Sequence, residues 1–152
     1  MSQFTFIASC YPVPEIDLTD IKKVKIKDIR NKPNFPASLA HLSDDIEILY
    51  GEDGHSLSGL RVSPCTNPPY DLGHYIRLEF IYWLEGAFDS STSVQNLIDY
   101  LQTFKTPVEI WSIAFGQGRL PVHDRTIRRV DLHSNDLNIL HQRQSTYCLT
   151  LL

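Results

Sequence analysis

Between residues 75 and 84 the chain alternates with period two. Ile76, Leu78, Phe80, Tyr82 and Leu84 take one side, and Tyr75, Arg77, Glu79, Ile81 and Trp83 the other. Both sides end apolar, which predicts a central strand covered on both faces. The period then changes to that of a helix. Thr92 and Gln95 have capping-box spacing, and Val94, Leu97, Ile98, Leu101 and Phe104 follow at helical intervals, predicting an amphipathic helix over about 93–105. Thr106-Pro107 stops it. A second strong strand covers 108–115, with Glu109, Trp111, Ile113 and Phe115 on one face, and Gly116-Gln117-Gly118 ends it.

The flanks complete the pattern. Residues 4–9 read as a first strand, closed by Tyr11-Pro12-Val13-Pro14. Lys-rich 22–27 reads as a short edge strand, with a helical turn as the alternative. Residues 45–50 predict a strand, 51–54 a turn and 57–62 a return strand, together a hairpin. Strands follow at 126–132 and 144–151, separated by a short helix over about 135–141. Five prolines and four glycines punctuate 31–73, the least regular stretch. The order implies a single α+β domain over 1–152: one mixed or antiparallel sheet with helices on one face.

Composition narrows the class. The 152 residues are 42% hydrophobic and 11% aromatic, enough to build a core without disulfides or metal. No apolar run approaches the roughly 20 residues of a membrane span, and the N-terminus does not read as a signal peptide. Cys10, Cys65 and Cys148 are an odd number at wide spacings, which suits reduced thiols and a cytoplasmic location. Charge is uneven. Residues 1–32 carry six Lys/Arg against four Asp/Glu, 33–118 three against eleven, and 119–152 five against three. The acidic middle disfavours nucleic acid as a partner, because phosphate contacts need clustered bases. It suits a basic protein partner.

Candidate chemistry is sparse. His41, His55, Cys65 and His74 lack the close ligand pairs of a structural zinc site, so neither metal nor cofactor is expected. There is no nucleophile elbow, and Cys65 with His74 is no more than a Cys and a His near each other in sequence. Gly116-x-Gly118-Arg119 lacks the lysine of a phosphate loop. Glu79, Glu109 and Trp111 would share a sheet face if their strands were neighbours, making an alternative pocket for a small molecule or an enzyme.

A small, acidic, aromatic-rich domain of this kind is similar in general character to bacterial immunity proteins, which neutralise a cognate toxin. No motif carries that likeness; it is an analogy of class. The leading expectation is therefore a non-enzymatic binding protein that masks a basic partner, such as a toxin domain. Tyr50, Glu52, Asp53, Tyr70 and Asp71 would be its anchors, and Asp44 and Asp45 its steering charges. The third expectation is a structural subunit of a larger assembly, joined through an edge strand.

Overall fold

The computed structural model describes residues 2–18, 21–33, 35–51 and 59–152. Its strands are β1 (Ser2–Ser9), β2 (Ile16–Asp17), β3 (Ile21–Lys25), β4 (Glu47–Gly51), β5 (Arg61–Pro64), β6 (Phe80–Glu85), β7 (Val108–Phe115), β8 (Val122–Ile127) and β9 (Thr146–Leu151). Seven of them form one mixed sheet in the order β2-β5-β6-β1-β7-β9-β8, and β3 and β4 form a separate two-stranded ribbon. Every pairing is antiparallel except that of β8 with β9. The helices are α1 (Ile26–Ile29) and α2 (Ser91–Leu101), with short 3-10 turns, the longest at Ser134–Leu140. The fold is α+β. No helix among the described residues is long and apolar enough to cross a membrane.

β1 sits at the centre because it is apolar on both sides where it is paired on both edges. Ile7 faces the helix layer and Phe6 and Ala8 the opposite layer, all three fully buried. The helix side is the larger core. Leu97 and Leu101 of α2, and Leu137 and Leu140 of the 3-10 turn, pack on Ile7, Leu84, Ile110 and Leu149. The opposite side is a smaller core of Phe6, Ala8, Trp111, Ile113 and Cys148, covered by Leu72 and Ile76.

Several expected elements are corrected. The expected strand over 75–84 begins only at Phe80. Its first half belongs to the segment that lies over the smaller core. There the Ile76 amide bonds to the Leu72 carbonyl instead of joining a ladder, and the Ile76 side chain is buried beneath it. Alternation records one buried side, and a segment that lies over a core with Ile76 beneath it and Arg77 and Glu79 exposed meets that condition as well as a strand does. The capping box is not used. The N-cap is Ser90 without a side-chain bond, Ser93 is buried, and Gln95 donates forward to Asp99 at 2.9 Å.

The expected hairpin over 45–62 is absent among the described residues, since β4 pairs with β3 and β5 with β2 and β6. The Lys-rich segment is both of its alternatives in succession, β3 and then the single turn α1. The strand expected at 126–132 starts earlier, just after Pro121, and ends at Ile127, where the Leu152 amide takes its carbonyl.

Candidate binding surface

The acidic residues named from the sequence fall into separate regions. Asp44 and Asp45 precede β4 and are exposed. Asp44 accepts from Arg30 Nε at 2.8 Å, so its charge is partly compensated. Glu52 and Asp53 lie outside the described residues, as does the side chain of Tyr50. Tyr70 and Asp71 stand together in the loop of residues 69–75, which passes over the smaller core. Tyr70 is 90% exposed, the most exposed large apolar side chain among those described.

The alternative pocket residues are not assembled by adjacent strands, because β1 lies between β6 and β7. Glu79 precedes β6 and lines a cleft with Cys65, Pro64 and Pro68. Trp111 is buried and donates its indole N–H to Glu109 at 2.7 Å, so each satisfies the other. Glu109 and Asp124 also act on Cys148. Burial first, then Glu109, then Asp124 push its thiol up to about 12, while Thr150 opposes them. Burial raises the Cys65 thiol as well. Both shifts favour the thiol over the thiolate, which is the reactive form. Among the described residues, no group of three His, Cys, Asp or Glu is placed to hold a metal ion; His55 of the tested zinc set lies outside them.

What the fold does assemble is a cleft of about 570 Å³ between the Tyr70 loop and the end of β7. Four aromatic side chains stand in its walls: Phe4, Tyr70, Tyr75 and Phe115. The Tyr75 and Phe115 ring centroids lie 6.1 Å apart and those of Phe115 and Phe4 5.9 Å, both in angled rather than coplanar contact.

The backbone on each side of the cleft is in the left-handed region. Asp71 has φ 72°, Gly116 96° and Gly118 74°. At Gly118 a Cβ would meet open space, so the glycine is required by conformation and not by crowding. Asp71 is not a glycine, but aspartate is one of the side chains that enter this region readily, helped by local polar contacts. One such contact is visible. Arg119 Nη2 lies 2.9 Å and Asp71 Oδ1 3.1 Å from His74 Nε2, which accepts from the first or donates to the second according to which ring nitrogen carries the proton, so the three side chains meet where the loop reaches the turn after β7.

Sequence reasoning singled out Tyr70 and Asp71 but missed Phe4, Tyr75, Phe115 and Arg119. Phe4 and Phe6 shared a face by alternation, which was a usable signal. Nothing local showed that β1 and β7 would be neighbours and bring Phe4 to Phe115.

No family model matches this chain, and no curated protein or solved structure is significantly similar to it.

Proposed function

We propose that this chain is a non-enzymatic binding protein that masks a basic protein partner, as an immunity protein masks a cognate toxin such as a nuclease. The observation that carries this reading is Tyr70. An aromatic ring 90% exposed, next to a carboxylate and on the rim of an aromatic cleft, has the character of an interface anchor awaiting a pocket on a partner. Masking needs shape and charge complementarity and no reacting group.

The test is capture followed by kinetics. Tagged protein from its native host should bring down a basic protein, and the purified pair should form a defined complex. Tyr70→Ala should then raise the dissociation rate by about tenfold or more, as truncation of a buried anchor does. Capture of no basic protein, together with turnover or tight binding of a metabolite, would replace this reading with the small-molecule one.

A further inference from the structure

We infer that a cleft on the helix side of the sheet binds a small zwitterion of the free amino acid class. On that face of β1, Ile7 lies beneath α2 and the 3-10 turn, but the two preceding positions that point the same way are Thr5 and Gln3. The helix layer stops short of them, and a cleft of about 480 Å³ stands there instead. Gln3 and Thr5 are its floor. One wall is residues 86–89, which lead from β6 to α2, and the other is residues 140–143, which lead from the 3-10 turn towards β9. The volume is of the order of small-molecule sites.

The floor calls for a donor. Gln3 Nε2 donates to Ser112 Oγ and to the Ser145 carbonyl, both at 2.9 Å. A carbonyl only accepts, which fixes which way round the Gln3 amide lies. Gln3 Oε1 is then buried without a partner. Thr5 Oγ1 gives its hydrogen to the Leu84 carbonyl. The donors of both side chains are thus used, and acceptor capacity is left. Oε1 is shut off from the cleft as well as from partners, so the floor must shift for a donor to reach it. A closed floor that leaves an acceptor unmet favours that shift, because an unpaired buried oxygen is costly.

The walls supply the charges. Asp89 stands on one, and Arg143 with His141 on the other, all exposed. Arg30, Arg61, Arg125 and Arg128 each lie against a carboxylate. Among the described residues, Asp89 and Arg143 pair neither with each other nor with another side chain. An acid and a base held apart across a polar floor suit a ligand that carries both signs. Its carboxylate meets the Arg143 guanidinium, and its ammonium meets Asp89 and, from above, Gln3 Oε1. A plain anion opposes Asp89 and the unmet oxygen, and a plain cation opposes Arg143.

The Tyr70 cleft rises on the other face of the sheet, where Tyr75 and Phe115 pack on the smaller core. The masking of a basic partner asks nothing of this site, and the site is measured without a partner, so each reading can fail alone. The experiment is an NMR titration of the purified, isotope-labelled chain with the common free L-amino acids, one at a time. The expected result is that at least one of them saturably moves the side-chain NH₂ signals of Gln3 and the amides of residues 86–89 and 140–143. Arg143→Gln and Asp89→Asn should each weaken its binding at least about tenfold. Both positions are exposed, and thermal unfolding checks that the fold is unchanged. The matching 2-hydroxy acid, which lacks the ammonium, should bind more weakly than the amino acid. No saturable shift with any amino acid overturns the inference. So does binding indifferent to both variants, or a hydroxy acid that binds as tightly as the amino acid.

Discussion

Arg30 shows how much one side chain organises in the irregular stretch before β4. Its guanidinium donates to Asp44 at 2.8 Å, to the Ala40 carbonyl at 3.0 Å and to the Leu42 carbonyl at 2.7 Å, and it lies 5.7 Å from the centre of the Phe35 ring. A planar fork reaches three acceptors at once, whereas an ammonium on a flexible stem does not. Arg30→Lys should therefore cost roughly 1–2 kcal/mol despite conserving charge, because the site is partly exposed and screened. Urea unfolding reads the cost, and faster amide exchange over residues 36–46 should locate it.

The cysteines make the second residue-scale case. Cys10 is exposed, Cys65 intermediate and Cys148 buried, all as free thiols. A thiol reagent should modify Cys10 in the native protein and Cys148 only on unfolding. Because folding raises the Cys148 thiol from 9.0 to about 12, the unfolded chain loses this proton first. Its contribution is complete below pH 9 and is lost as pH rises towards 12. Cys148→Ala should flatten the first part of that alkaline decline, before the phenol of Tyr100, also raised by burial, adds its own.

Elements were legible where one periodicity met one environment. α2 is the plainest case. Its stripe was readable because the helix lies against a sheet, and Leu97 and Leu101 are fully buried with Ile98 packed at the margin, but the helix runs over Ser91–Leu101 and not to 105, so that Phe104 packs against the core from beyond its end. Leu101→Ala should cost about 2–5 kcal/mol by transfer and cavity terms together, measured by denaturant unfolding. β7 was also readable in full, since a strand covered on both sides and closed by Gly116 has few alternatives. The segment from Tyr75 to Glu79 was not, because its alternation came from lying across the sheet and not from joining it. The start of α2 was missed for a related reason. Ser93 is buried and Gln95 turns towards Asp99, so tertiary packing decided the N-terminus against the local capping signal. The candidate surface divides the same way. Tyr70 and Asp71 were legible as an exposed turn, while the cleft beside them depends on β1 meeting β7, a non-local pairing that no local pattern encodes.

Over the whole molecule, the acidic residues of the middle of the chain do not all stay free to act at a distance. Asp44 is compensated by Arg30, and Glu85 by Arg61 at longer range. Asp45 stands exposed near the first of these, and Glu52 and Asp53 belong to the same acidic stretch of sequence. Steering depends on this net field rather than on any one contact, because exposed charges interact weakly but add over a Debye length of roughly 8–10 Å. If the masked partner is basic, changing Asp44, Asp45, Glu52 and Asp53 together to amides should slow association while leaving dissociation nearly unchanged. The expected loss is about tenfold at low ionic strength, within the range that steering supplies. It should shrink as salt rises, since screening removes from the native protein what the amides remove from the variant. Tyr70→Ala should behave oppositely, speeding dissociation with little salt dependence. Stopped-flow association at several salt concentrations separates the two. An amide variant that associates as fast as the native chain at low salt would leave the acidic middle with no part in recognition and move the whole burden to the Tyr70 loop.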